Sequence, residues 1–291
     1  MTKPLEDKTA VITGANQGLG LEIARKYLEA GASVSICARD AERLAQAKRY
    51  LQGFAGSRQE IVSVAADISR NDDSMAVVEK TNSTFGRIDI LVNNAGVYGP
   101  KGTVEEVGWE DWARAMEINL YGSVLMCRAV LPHMKRQRKG KIVQLSGGGA
   151  TKPLPRLSAY AVSKAAVVRF AETLAEEVKE YNIDVNAIAP GALNTRMLKE
   201  VLDAGPGNVG QAFYDQAVKQ AQSGGTSLEK GADLAVFLGS SLSDGITGKL
   251  ISAVWDPWAS LVEHKEDLRK TDIYTLRRIL PDDRGKNWGS E

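Results

Sequence analysis

A tyrosine and a lysine stand four residues apart in Ser158-Ala159-Tyr160-Ala161-Val162-Ser163-Lys164. On a helix, residues at that spacing share one face. A free tyrosine has a pKa of about 10 and is a poor base at neutral pH. An ammonium beside it favours the phenolate. The pair can therefore give a proton to a carbonyl being reduced, or take one from an alcohol being oxidised. The same spacing also occurs on ordinary helices, so its meaning depends on its surroundings. Upstream, Ser146-Gly147-Gly148-Gly149 offers a hydroxyl and a run of backbone N–H groups. Such donors can polarise an oxygen, as they do in anion-binding nests.

A scaffold must bring these groups to a common place. The chain is organised around Thr13 to Gly20, TGANQGLG, between the apolar run Thr9-Ala10-Val11-Ile12 and a helical pattern of Leu21, Ile23, Ala24, Tyr27 and Leu28. The glycines thus sit where a buried strand turns into a helix. Gly14 allows a sharp turn. Gly18 lets a diphosphate approach the helix N-terminus, where unpaired N–H groups and the helix dipole favour an anion. Gly20 lets helix and strand pack closely. The competing reading is a glycine-rich turn without a ligand. Further apolar runs at 33–38, 61–65, 88–92, 141–145, 184–189 and 250–254 alternate with helical patterns at 41–51, 72–85, 111–137, 161–181 and 227–238. That alternation predicts an α/β fold with a parallel sheet covered on both faces. Residues 197–226 read as less regular, a stretch suited to a lid.

The bulk properties exclude other classes. The chain has 291 residues, 43% hydrophobic and 25% charged, as in soluble globular proteins. Its 37 basic and 36 acidic residues leave a net charge of +1, with no footprint for nucleic acid or an anionic membrane. No apolar run approaches the roughly 18 residues of a membrane span. MTKPLEDK lacks the apolar core of a signal peptide. Cys37 and Cys127 read as reduced core residues of a cytoplasmic protein. His133 and His264 have no Cys or His partner at ligand spacing, so no metal site is predicted.

TGANQGLG, Asn93-Asn94-Ala95-Gly96, Asn119 in Ile-Asn-Leu-Tyr-Gly, the Tyr160–Lys164 pair and Pro190-Gly191-Ala192-Leu193-Asn194-Thr195 occur in this order. Over residues 8–254 the chain thereby resembles the short-chain dehydrogenase/reductase family. The resemblance implies a Rossmann-type, doubly wound parallel sheet of seven strands in the order 3-2-1-4-5-6-7. It implies one catalytic domain, residues 1–254, with residues 255–291 as a C-terminal extension of that domain. The expected activity is NAD(P)-dependent hydride transfer between nicotinamide and a carbonyl or secondary alcohol of a small substrate. A non-catalytic dinucleotide-binding protein and an epimerase or dehydratase on the same fold remain alternatives.

The resemblance also assigns residues. Gly14, Asn16, Gln17, Gly18, Leu19 and Gly20 would cradle the cofactor diphosphate. Asp67 and Ile68 would border the adenine, although Asp67 could also cap a helix. Asn93 would stitch neighbouring strands, while Ala95 and Gly96 would let backbone lie along the cofactor. Pro190 and Gly191 would wall the nicotinamide, and Thr195 would bind its amide or the diphosphate. Asn119 would distort its helix and hold a relay water on its carbonyl. Tyr160 would be the proton donor or base, with Lys164 lowering its pKa and holding the ribose. The NAD-selecting acid of relatives falls at Ala38, and Arg39 follows, which favours NADP(H) over NAD(H). Gln17 departs from the basic residue that NADP-using relatives often carry. A homodimer or homotetramer is expected, with 111–137 and 158–181 at an interface. The catalytic serine of relatives lies thirteen residues before the tyrosine, which is Gly147 here, and Ser146 stands fourteen before. Either Ser146 fills that role or the N–H groups of Gly147 to Gly149 do. In the C-terminal extension, Trp255, Trp258 and Tyr274 predict that it packs on the body or on a neighbouring subunit near the substrate mouth.

Overall fold

The computed structural model describes residues 3–289; residues 1–2 and 290–291, at the outer ends of the two predicted segments, lie outside it. Seven strands form one parallel sheet: β1 Thr9–Thr13, β2 Ser33–Ala38, β3 Ile61–Ala65, β4 Ile90–Asn93, β5 Gly140–Leu145, β6 Ile183–Ala189 and β7 Leu250–Ser252. Their order is β3-β2-β1-β4-β5-β6-β7, as the resemblance implied. The order reverses between β1 and β4, where Val11 pairs with Leu91. In an open α/β sheet such a reversal opens a crevice beyond the strands' carboxyl ends.

Helices cover both faces because the central strands are apolar on both sides. One core packs α1 Gly18–Glu29, α2 Ala41–Gln52 and α9 Leu228–Gly239 on the sheet through residues such as Ile23, Leu44 and Leu234. The other packs α3 Asn71–Phe85, α5 Gly122–Gln137 and α6 Ser158–Val178 through Val78, Met126 and Val168. Local signals set the ends. The Asp40 side chain accepts from the Arg43 N–H at the start of α2, and Ser227 does the same for Glu229 at the start of α9.

The predicted helix 111–137 runs through as helical backbone, starting two residues earlier and widening around Asn119. α4, Trp109–Met116, passes through a wide π-type turn, Glu117–Tyr121, into α5. Residues 197–226 are more regular than their sequence suggested. They form α7 Arg196–Val209, kinked at Gly205 ahead of Pro206, and α8 Gln211–Ser223. Leu198, Val201, Val209 and Ala217 give the two helices a small core of their own.

Beyond β7 the chain returns along the sheet edge. A 3-10 turn, Trp258–His264, leads into α10, Lys265–Lys270. The Leu250 N–H donates to the Tyr274 carbonyl at 2.8 Å. Lys249 Nζ donates to the carbonyls of Thr271 and Ile273. Trp258 lies against Phe237, with ring centroids 5.6 Å apart. Trp255 does not pack with them; it is 84% exposed. Among the described residues no helix is long and apolar enough to cross a membrane.

Candidate active site

A cleft of about 1430 Å³ runs across the carboxyl ends of the strands, from Arg39 and Asp67 to Tyr98, Phe213 and Trp255. Its floor is the turn from β1 into α1. Gly14 has φ +64°, and a Cβ there would stand 2.8 Å from Ala95 Cα. A Cβ on Gly20 would meet the Asn94 amide and lie 2.5 Å from the Gly14 carbonyl. Only glycine lets these backbones approach so closely. Gln17 precedes α1 without giving it a side-chain cap, so the first N–H groups of the helix are left for an anion. Gly18 faces Thr195 across the cleft. This open, N–H-lined cradle fits a dinucleotide diphosphate.

Asn16, Gln17, Gly18, Leu19, Ile68, Ala95, Gly96, Pro190, Gly191 and Thr195 line the cleft together with Gly14, Arg39, Asp67, Ser146, Tyr160 and Lys164. Gly20, Asn93 and Asn119 do not; they lie behind its wall. The stitching expected of Asn93 is made by Asn94. The Asn94 amide donates to the carbonyls of Thr13 and Gly14, and its backbone N–H donates to Thr13 Oγ1. Asn93 points the other way, donating to the Ser123 carbonyl of α5 at 3.2 Å. Successive side chains leave a strand on opposite faces, so alternation along β4 carries the signal that separates the two.

At the adenosine end Arg39 is exposed and has no carboxylate partner among the described residues, whereas its neighbour Arg43 pairs with Asp40. Asp67 does not cap α3. Its carboxylate accepts from the N–H and hydroxyl of Ser69 and is paired with Arg114 of α4. Burial works against this charge, but the Ser69 bonds and Arg114 outweigh it and hold the carboxyl below its usual range. Arg114 leaves no mark in the sequence, because the pairing crosses from α4 to the end of β3.

Asn119 sits in the wide turn between α4 and α5 and is fully buried. Its side chain accepts from the Val97 N–H at 2.8 Å and donates to the Val97 carbonyl and Ser163 Oγ, each at 2.9 Å. Ser163 in turn donates to the Tyr160 carbonyl. Asn119 therefore bolts the segment after β4 to the helix that carries Tyr160. Its backbone carbonyl accepts from Ser123 Oγ.

Tyr160 and Lys164 share the inner face of α6, as their spacing required. Lys164 Nζ donates to the Leu145 carbonyl at 2.7 Å and lies 5.7 Å from the centre of the Tyr160 ring. Burial pushes the Lys164 ammonium down to about 8. Burial also raises the Tyr160 phenol, and the neighbouring Tyr98 phenol adds to the rise. Burial sets the direction of the Tyr160 phenol here, and the Lys164 ammonium makes no hydrogen bond to its hydroxyl. Among the described residues the Tyr160 hydroxyl has no hydrogen-bond partner.

The Ser146 N–H donates to the Ile188 carbonyl, continuing the β5–β6 pairing. The Ser146 hydroxyl is buried and unpaired. The three glycines after it differ sharply. Gly147 lies under Tyr160, Gly149 under Ala161, and only Gly148 has free space where a side chain would stand. Tyr98, absent from the predicted set, meets Tyr160 edge to face with centroids 4.7 Å apart. Its place directly after Asn-Asn-Ala-Gly-Val was the one available cue.

Comparison with known proteins agrees with this geometry. Residues 8–205 match the family model described as short chain dehydrogenase. A Caenorhabditis elegans protein, dehydrogenase/reductase SDR family member 4, is 32% identical over 246 residues, 84% of this chain and 93% of that one. The crystal structure of an NAD+-bound xylitol dehydrogenase superposes with a TM-score of 0.79 at 27% identity, covering 86% of this chain and 98% of that one. A Burkholderia cenocepacia gluconate 5-dehydrogenase, in complex with NADP and tartrate, gives 0.74 at 28% identity, covering 86% and 95%. The chain belongs to the short-chain dehydrogenase/reductase family. It is an NAD(P)-dependent oxidoreductase acting on CH–OH donors.

Proposed function

We propose that the chain is an NADP(H)-dependent enzyme that interconverts a carbonyl and a secondary alcohol on a small molecule. The observation that carries this reading is the unpartnered Tyr160 hydroxyl, facing the same cleft as the unpaired Arg39. When bound, the nicotinamide supplies or accepts the hydride. Tyr160 holds the proton at its phenolic oxygen and passes it to, or takes it from, the substrate oxygen. Lys164 is held by the Leu145 carbonyl beside Gly96, where its ammonium serves the cofactor ribose. The charge of oxidised nicotinamide and of Lys164 together offsets the burial that raises Tyr160. Ser146 is the second donor to the substrate oxygen. An unpaired buried hydroxyl costs roughly 1–3 kcal/mol, which pairing with substrate would relieve. Gly148, whose side-chain direction is open, is the backbone alternative.

Gly14, Asn16 to Leu19, Asp67, Ile68, Ala95, Gly96, Pro190, Gly191 and Thr195 form the cofactor wall in this reading, with Gly20 letting α1 pack close behind it. Asn93 and Asn119 support it from behind. Arg39 takes the 2′-phosphate. Solved neighbours with NAD+ and with NADP both exist, so the preference rests on Ala38 and Arg39 alone. Residues 255–291 act as an extension of the same domain. Free, buried Cys37 and Cys127 support a reducing, cytoplasmic setting. Exposed Trp109, stacked on Trp112, and exposed Tyr121 support a homodimer or homotetramer through residues 111–137 and 158–181. A monomer by light scattering at micromolar concentration would count against that assembly.

The test is a screen of ketones and keto-sugars for net NADPH consumption, run beside dissociation constants for NADPH and NADH. Tighter binding of NADPH and stoichiometric consumption are expected. Equal constants would overturn the cofactor assignment. Product formation without net consumption would point to an epimerase or dehydratase.

A further inference from the structure

The Tyr160 hydroxyl rests on the backbone of Gly147. A Cβ at Gly147 would collide with that hydroxyl and stand 3.0 Å from Cζ of the ring. The ring has little room to yield, being only 8% exposed and packed edge to face against Tyr98. Tyr98 is itself held. The Lys101 ammonium lies 5.9 Å from the centre of its ring and 3.7 Å from Glu200 of α7. The same ring packs on the small core that joins α7 to α8. The next residue, Gly99, is pressed against Ala115 of α4. Residues 98–101 are therefore a fixed bridge from α7 and α8 to Tyr160.

We propose that Tyr98 positions Tyr160: its ring edge holds the Tyr160 hydroxyl against Gly147 and couples that hydroxyl to helices α7 and α8. A tyrosine tip lies far from its backbone, so small torsional freedom moves the hydroxyl a long way. With no side chain at 147 to limit it, packed neighbours must do so, and Tyr98 is the aromatic ring against Tyr160. The aromatic contact does this through the ring and not through the Tyr98 hydroxyl. A serine at 147 would therefore displace Tyr160 and would not act as an added donor. This inference rests on Tyr160 being the proton donor.

The experiment compares Tyr98→Leu, Tyr98→Phe and Gly147→Ser with the parent chain. Two quantities are read. One is kcat and KM with NADPH and the best carbonyl from the screen. The other is the absorbance titration of the Tyr160 phenol in cofactor-free protein, taken as the difference from the same chain carrying Tyr160→Phe. Besides Tyr98, the charged groups facing this pair are Lys164, Lys101 and Glu200. Tyr98→Leu is expected to lower kcat about ten- to a hundredfold, as small misplacements of reacting groups do, with little change in KM for NADPH. It should also move the phenol titration downward, because water then reaches the hydroxyl. Tyr98→Phe should restore most of both. Gly147→Ser should lower kcat despite its added hydroxyl. Parent-like turnover and titration in Tyr98→Leu would overturn the proposal. So would a Tyr98→Phe as impaired as Tyr98→Leu, or a Gly147→Ser as active as the parent. Tyr98→Met replaces Tyr98→Leu if the latter does not fold. If Tyr160→Phe alone keeps full turnover, the functional reading has failed, and the titration still decides whether Tyr98 seats the phenol.

Discussion

The segments that build the two ends of the cleft are both rich in glycine, yet their glycines do opposite things. At the cofactor end, Gly14 and Gly20 face fixed backbone, with Ala95 Cα at 2.8 Å and the Gly14 carbonyl at 2.5 Å from the missing side chains. Nothing there can shift without moving β1, β4 and α1 together. At the end bounded by α7 and α8, which the proposed function gives to substrate, the spaces beside Gly205, Gly207 and Gly224 are empty. Close packing does not explain those glycines. Gly147 stands between the two cases, since what it admits is the tip of a side chain held by Tyr98. A cofactor shared by many substrates calls for a cradle without slack. A substrate pocket bounded by two helices with their own small core can change shape without disturbing the sheet.

The largest expected effect lies where the two ends meet. Tyr160→Phe should lower turnover by about 10²–10⁴, the usual range for losing a general acid or base. Ser146→Ala should cost about 10²–10³, the usual loss for one oxyanion donor. Steady-state kinetics with one substrate decide both. If Tyr160→Phe is inactive while Ser146→Ala stays within a few-fold, Ser146 drops out and the backbone of the Gly147–Gly149 loop takes over as second donor. If both are harmless, the proton-transfer scheme fails.

Next in size is cofactor choice at the rigid end. Arg39→Ala should remove one charge-assisted bond, roughly 1.5–3 kcal/mol, and so erase about a ten- to hundredfold preference for NADPH. Calorimetric titration with both dinucleotides checks this. An unchanged ratio of constants would show that Arg39 is only a solvated charge.

Lys164 sharpens the contrast through stability. Burial lowers its folded pKa to about 8, below its ordinary value of 10.5. Below pH 8 both folded and unfolded chains carry the proton, and the folded chain bears the full cost of a buried charge. Between pH 8 and 10.5 the unfolded chain holds more protons, so this group's contribution to stability rises with pH. Relative to the parent, cofactor-free Lys164→Met should be more stable at pH 7, by an amount of order 1–3 kcal/mol, and the difference should shrink as pH rises through that window. Denaturant melts at several pH values measure it. A difference independent of pH would mean that Lys164 is not buried as a charge.

Much of this was legible in the sequence because it depends on local rules. Strand–helix alternation and the Tyr160–Lys164 face follow from periods of two or 3.6 residues, and the Asp40 and Ser227 caps from a side-chain acceptor beside the first N–H groups of a helix. Asn119 as the point where a long helix widens came only from the family resemblance. What was not legible depends on contacts between distant segments. Asn94 rather than Asn93 joins β4 to β1 because of which face each takes. Arg114 reaches Asp67, and Tyr98 reaches Tyr160, only once the sheet is assembled. The region 197–226 was misjudged because Gly205, Pro206, Gly207 and Gly210 signal breaks, while the apolar residues of α7 and α8 pair mainly with each other.

That same region supplies the smallest expected effect and the cleanest check on the contrast. Gly205 and Gly207 both have empty space beside them, so sterics with neighbours cannot distinguish them. Backbone conformation can. Gly205 has φ +74° with ψ 167°, a region nearly closed to L side chains, where one costs about 1–3 kcal/mol. Gly207 keeps helical geometry within α7 and is exposed. There a glycine costs about 0.8–1 kcal/mol against alanine. Gly207→Ala should therefore raise the melting temperature by roughly 2–4 °C, whereas Gly205→Ala should lower it by a similar amount. Turnover should stay within about twofold for Gly207→Ala, because Gly207 touches the rest of the chain mainly through its carbonyl, which accepts from Arg156 at 2.7 Å. The equivalent change at Gly20 has no such freedom, since the added methyl would press on the Asn94 amide and the Gly14 carbonyl. If Gly207→Ala instead destabilises the chain, the substrate end has hidden constraints comparable to those of the cofactor end, and the division of the cleft into a fixed and an adjustable half does not hold.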